Sequence, residues 1–215
     1  YALGGVLIDV KDGNPTWVAT DGRRLACVET ETDQAVDDSQ TILPGRLVAL
    51  AASLAVGDGS VQIEADAKEV RFSLEGTTIT GRLVEGKFPS WRDVLGEPES
   101  EPTVIDVVEL LQSVQSAAIV TSEQSKGITL AWTANTLVLV GRSSEYGESK
   151  VICPTIASGS TAGTKLDPKY VAQFLANLPG DEEPHVDVYV KDAQSRVVLK
   201  CGPYTGVIMP LAEDA

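Results

Sequence analysis

LPGRLVALAASL (43–54) and LDPKYVAQFLANL (166–178) decide the architecture, because one is a worn copy of the other. Pro44 stands against Pro168, Leu47 against Val171, Leu50 against Phe174 and Leu54 against Leu178. Apolar side chains three or four residues apart line one face of a helix. Proline suits the first helical position, where its missing N–H would have no partner inside the helix. Asp167 supplies an N-cap for the second copy.

Working outward, each helix is followed by a Gly/Asp-rich turn and then by alternating apolar and polar residues, the two-residue period of strands. VQIEA (61–65) and VRFSLE (70–75) in the first copy answer to VDVYV (186–190) and RVVLK (196–200) in the second. Thr80-Gly81, leading into Arg82-Leu83-Val84, parallels Thr205-Gly206, leading into Val207-Ile208-Met209. The copies stay about 124 residues apart, with the single-residue drift that a changed loop produces.

Upstream, Gly5-Val6-Leu7-Ile8 and Gly127-Ile128-Thr129-Leu130 each open a strand. A turn follows, Asp12-Gly13-Asn14 or Ala134-Asn135, and then a second strand through Trp17-Val18-Ala19 or Leu137-Val138-Leu139. Ahead of Gly127 the pattern predicts a long amphipathic helix over 104–121, opened by a capping-box-like Thr103-Val104-Ile105-Asp106. Only four residues precede Gly5, so the first copy is expected to lack its leading helix. Because the chain opens on Tyr1, it is expected to begin inside a longer protein. The stretch Gly96-Glu97-Pro98-Glu99-Ser100-Glu101-Pro102 reads as a linker. The expectation is two α+β domains, 1–96 and 97–215, of antiparallel sheets with two helices in each complete unit. A repeat this long is a domain, not a turn of a solenoid.

Composition narrows the function. Hydrophobic residues make up 43% of the chain and charged residues 22%, as in a globular protein. No run approaches the roughly 20 apolar residues of a membrane helix. Cys27, Cys153 and Cys201 lie far apart without a CxxC pair, and read as reduced thiols of a cytoplasmic protein. Nucleophile–base pairs, P-loops and GxGxxG fingerprints are absent from the sequence. His185 is a lone strand-entry histidine, SGSTAG (158–163) lacks the lysine of a phosphate cradle, and Asp37-Asp38 and Glu182-Glu183 fall in polar loops. Neither catalysis nor a cofactor or metal is expected. The net charge of −14 argues against tight nucleic-acid binding, which depends on lysine and arginine displacing counterions.

Three further segments carry a resemblance: VATDGRRLA (18–26), RLVEGKFPSWRDVL (82–95) and GVIMPLAEDA (206–215), with YVAQFLANL (170–178) between the last two. In this order and spacing they resemble the bacterial DNA polymerase III beta subunit, the sliding clamp, over essentially the whole chain. The first copy corresponds to most of that family's second domain and the second copy to its third. The resemblance implies the DNA clamp fold: repeated α+β domains arranged toward a ring that is a head-to-tail homodimer in the full-length protein, with helices inside and sheets outside. It further implies a non-catalytic processivity factor that encircles duplex DNA and tethers polymerase, clamp loader and repair proteins through short linear peptides. Topological retention meets the charge objection, since a ring needs only weak, non-specific contacts with its DNA. Arg46 and Lys169, at equivalent helix starts, are the candidate DNA-facing residues.

The family's hydrophobic peptide pocket maps onto Leu3, Thr20, Leu25, Pro89, Val94, Val207, Met209, Pro210 and Leu211, with Arg23 and Tyr170 at the rim. Ile119 and Val120 correspond to its subunit contact. Two departures from the family pattern make the rim acidic: Asp93 where an arginine is common, and the tail Ala212-Glu213-Asp214-Ala215. The alternative reading is a repeat-built, non-catalytic adaptor of the same units that never closes on DNA.

Overall fold

The computed structural model describes residues 3–32, 36–55, 60–122, 127–133, 135–159, 162–179 and 184–212. The chain divides into two compact units, Tyr1–Asp93 and Val94–Ala215.

The first unit opens with four antiparallel strands, β1 (Gly5–Lys11), β2 (Asn14–Thr20), β3 (Arg24–Glu29) and β4 (Ser39–Pro44), ordered β4-β1-β2-β3. Helix α1 (Gly45–Leu54) follows, then β5 (Gln62–Ala65), β6 (Glu69–Leu74) and β7 (Thr77–Arg82) in the order β5-β6-β7. The short α2 (Trp91–Leu95) closes this part of the chain. Alternation gives each strand two faces. Ile8 pairs with Trp17, and both pack with Leu43, Leu47, Val48, Ala51, Val70 and Phe72 around α1. Leu7, Asp9 and Val18 face the other way and are buried there.

The second unit runs β8 (Thr103–Asp106), α3 (Val107–Ala118), β9 (Ile128–Thr133), β10 (Thr136–Ser143), β11 (Gly147–Pro154), β12 (Thr164–Leu166), α4 (Pro168–Ala176), β13 (His185–Tyr189), β14 (Val197–Cys201) and β15 (Tyr204–Ile208). Its sheets are β11-β10-β9-β12 and β15-β14-β13-β8. From β9 onward, each element and each strand neighbour repeats the first unit from β1 onward, α4 standing for α1. The leading β8–α3 pair has no counterpart among the described residues of the first unit. One core fills this unit, with Leu110, Val114 and Ala117 of α3 and Val171 and Leu175 of α4 set among Leu130, Leu139, Val188 and Leu199.

A matching constraint seats the helices. A Cβ on Gly81 of β7 would lie 2.9 Å from the Leu47 side chain of α1, and one on Gly206 of β15 would lie 2.7 Å from that of Phe174 in α4. Both contacts are closer than a carbon side chain tolerates, so glycine at these positions is what lets each helix lie against its strand.

Several local expectations need correction. The helix predicted over 104–121 begins only at Val107, because Thr103–Asp106 is a strand paired with β13, Ile105 opposite Val186. Thr103, Val104 and Ile105 are β-branched and fit a pleated, half-buried position better than a helix start. The cap is Asp106, whose carboxylate accepts the Glu109 N–H at 2.9 Å. Pro168 does open α4, but Pro44 is the residue before α1, since β4 pairing extends to Pro44 opposite Gly5. Strand β7 ends at Arg82; the Leu83 and Val84 amides turn to Lys68 and Ile42 carbonyls instead. The stretch after α2 is tied down: Arg196 donates to the Leu95 and Glu97 carbonyls, and Lys191 pairs with Glu99 at 2.6 Å. Gly96, at φ +46, leaves the space that the Arg196 guanidinium occupies. Ala134, Ser160, Thr161, Glu182 and Glu183, and the tail from Glu213, lie outside the described residues.

Gly206→Ala is expected to destabilise the second unit by about 1 to 3 kcal/mol through overpacking against Phe174. Phe174→Leu in the same chain should return part of that loss, a non-additivity that urea denaturation of the two single variants and the double variant will measure.

Candidate functional site

In the first unit the candidate residues cluster on the turn between β2 and β3 and on the approach to α2. The turn is built by local side-chain bonds. Thr20 Oγ1 donates to the Arg24 carbonyl at 2.7 Å and accepts the Gly22 N–H at 3.1 Å. Asp21 Oδ1 accepts the N–H groups of Arg23 and Arg24, and Asp21 Oδ2 pairs with Arg24 Nε at 2.9 Å. Gly22, at φ +87, supplies the left-handed step that the turn requires. Partial burial pushes the Asp21 carboxyl upward, but the two backbone donors and the Arg24 guanidinium together outweigh it and hold the group below the usual aspartate value. Arg23 is thereby left pointing from an ordered turn with its side chain exposed. Leu3 is exposed and Pro89 half-buried, whereas Leu25 is buried.

In the second unit, Met209 follows β15 and is 44% exposed, beside half-buried Pro210 and Leu211. Leu211 anchors this tail, its N–H donating to the Lys165 carbonyl of β12 at 2.8 Å. Strand β12 leads into α4, where half-buried Tyr170 packs against the core. Val94 on α2 is 41% exposed. Val207, like Leu25, is a buried wall residue and not an open contact surface. The exposed apolar side chains of the candidate set are therefore Leu3, Val94 and Met209.

The helix residues are also placed. Arg46 and Lys169 are the second residues of α1 and α4, and both are exposed. Ile119, the C-cap of α3, is 82% exposed, which removes core packing as its role in this chain. Val120 is half-buried, with a methyl 3.3 Å from where a Gly141 Cβ would sit. Sequence reasoning passed over strand β11, which pairs only with β10 among the described residues and exposes Ile152. Ser149 of β11 donates to the Ser116 carbonyl near the end of α3. His185 is exposed at the start of β13, and no trio of His, Cys, Asp or Glu suited to a metal gathers among the described residues. Among them, too, no helix is long and apolar enough to cross a membrane.

Comparison with known proteins now adds to this geometry. Residues 1–90 match the family model of the DNA polymerase III beta subunit, central domain. The beta sliding clamp of Escherichia coli K12 is 27% identical over 201 residues, covering 93% of this chain and 54% of the relative. That of Chlamydia muridarum is 26% identical over 215 residues, covering 98% and 57%. A crystal structure of a Pseudomonas aeruginosa sliding clamp bound to griselimycin superposes with a TM-score of 0.88 at 26% identity, covering 99% of this chain and 58% of that one.

The chain belongs to the beta sliding clamp family.

It spans about half the length of the curated clamps it matches. The α+β clamp fold expected from the sequence is the fold found. Within that fold the Thr20–Arg24 turn is a preorganised platform whose order depends on an ionised Asp21. A carboxyl held below its unfolded value stabilises the turn at neutral pH and loses that effect as pH falls through the folded value. The Arg23 and Arg24 amide shifts are therefore expected to titrate with a midpoint below 3.8. Asp21→Ala should abolish that titration in a two-dimensional NMR series.

Proposed function

We propose that this chain forms the central and C-terminal domains, 1–96 and 97–215, of a cytoplasmic DNA sliding clamp. The clamp is a non-catalytic processivity factor whose full-length homodimer encircles duplex DNA. The observation that carries the reading is the repeated unit with its nearly uncharged helices. In a chain of 31 acidic and 17 basic residues, α1, α3 and α4 hold one charged residue each, Arg46, Glu109 and Lys169. Acidic strands and loops repel phosphate, while helices almost free of carboxylates do not. Arg46 and Lys169 then add a weak attraction without the many contacts that would stop sliding. Ile119, Val120 and the unpaired edge of β11 are the proposed subunit contact, since a free strand edge beside an exposed apolar residue is suited to pairing with another chain.

Partners are proposed to dock short linear peptides on the apolar side chains around Leu3, Pro89, Val94 and Met209, with Thr20, Arg23, Tyr170, Pro210 and Leu211 framing them over the buried Leu25 and Val207. Met209 is the chain's one methionine, and its flexible thioether adapts to differently shaped anchors. Burying two peptide side chains such as leucine and phenylalanine contributes about 3 to 6 kcal/mol before ordering costs. With backbone hydrogen bonds added, micromolar binding, about −8 kcal/mol, is the expected range. Asp93 adds negative charge beside Val94, so peptides with a basic flank should gain affinity at low salt and lose that gain as salt rises.

Calorimetric titration with a peptide ending in Leu-Phe tests this reading. Met209→Ala should weaken binding by about 1 to 3 kcal/mol while the thermal transition stays in place. Equal affinities for the two proteins would remove the peptide site from this position.

A further inference from the structure

Asp9 is the one charged side chain among the described residues that is buried, at 3% exposure. A carboxylate out of water persists only where donors surround it. Trp91 Nε1 donates to its Oδ2 at 2.8 Å, the Arg92 guanidinium pairs with the same oxygen, and Gln40 Nε2 donates to Oδ1 at 3.2 Å. Gln40 is the cross-strand neighbour of Asp9 on β4. The other two donors are the first two residues of α2, some eighty positions away in the chain. The Arg92 guanidinium also lies over the Trp91 ring, 4.4 Å from its centroid.

Helix α2 is WRDVL, five residues, too short to hold itself in water. Its placement therefore depends on what grips it. Trp91 is buried and could pack on many apolar surfaces, but an indole N–H and a guanidinium converging on one carboxylate oxygen define a single position. An apolar residue in place of Asp9 would serve burial as well, and a buried ion pair is a costly way to gain stability alone. What it supplies is geometry, and the segment whose geometry it sets carries Pro89, Asp93 and Val94.

We propose that Asp9 is a positioning residue for peptide binding: through Trp91 and Arg92 it fixes α2, and with it the presentation of Pro89 and Val94 to an apolar peptide side chain. This rests on the peptide-docking reading above. Asp9 touches no peptide itself. It acts from the sheet face opposite α1, so damage to the α1 core and damage to the Asp9 anchor are separable.

The test compares the unsubstituted protein with Asp9→Asn, Asp9→Ala and Phe72→Leu, the last altering the α1 core of the same unit. Each is titrated calorimetrically with the peptide ending in Leu-Phe, and its thermal transition and the hydrogen exchange of the Asp93 amide are recorded. That amide bonds the Ser90 carbonyl at 3.1 Å and reports on the start of α2. Asp9→Ala is expected to lose about tenfold or more in affinity, as displaced binding groups do. Asp9→Asn keeps an acceptor for Trp91 without the ion pair and should fall between, with faster Asp93 exchange. Phe72→Leu should lower the transition temperature yet keep its affinity. Unchanged affinity in a folded Asp9→Asn protein with faster Asp93 exchange overturns the proposal. So does an equal loss in Phe72→Leu at a matched transition temperature. Absence of binding by the unsubstituted protein instead overturns the docking reading, and this proposal with it.

Discussion

A helix can approach a sheet closely only where the strand beneath it carries no side chain, and both units meet that constraint on their last strand. Gly81 receives Leu47 and Gly206 receives Phe174. The close approach lets α1 and α4 cover their sheets with a narrow apolar stripe, leaving the opposite helix face to solvent. On that face stand Arg46 and Lys169, each the second residue of its helix. The same packing event thus builds the core and decides which side chains the fold presents. Its recurrence at a nearly constant separation is why one chain contains two such faces.

The charge distribution then follows a physical logic that net charge conceals. A molecule at −14 should avoid DNA, and over most of its surface this one does. Its acidic residues are placed in strands, turns and loops, where several have structural tasks: Asp21, Asp66 and Asp192 each accept backbone N–H bonds within their own turns. The helices are nearly exempt. A near-neutral face with sparse basic residues costs little to bring beside phosphate and binds it weakly, the balance that a protein held by topology requires.

The repeat was legible in the sequence because two periods, near 3.6 for the helices and 2 for the strands, persist across both copies. Gly81 and Gly206 keep step with them. What stayed hidden involved competition or distance. Val104 and Ile105 continue without a break into the apolar pattern of α3, so periodicity alone could not separate strand from helix; pairing with Val186 decides it. Leu25 and Val207 match a pocket by resemblance, yet strand alternation turns both inward, leaving Met209 and Val94 as the open surface. The grip of Asp9 on Trp91 and Arg92 spans most of the first unit, and no local pattern announces it. Exposure of Ile119 was equally invisible, because an apolar residue at a helix end reads the same whether it meets a core or a partner.

Encirclement of DNA is the claim on which the functional account turns, and topology distinguishes it from every reading based on affinity. The full-length protein, assembled onto nicked circular DNA by its loader, should remain with the circle at a salt concentration that abolishes its binding to linear duplex. It should depart when a restriction enzyme opens that circle. Retention that is equal on circular and linearised DNA, or loss from both at the same salt concentration, would contradict a closed ring and favour an adaptor built from the same two units.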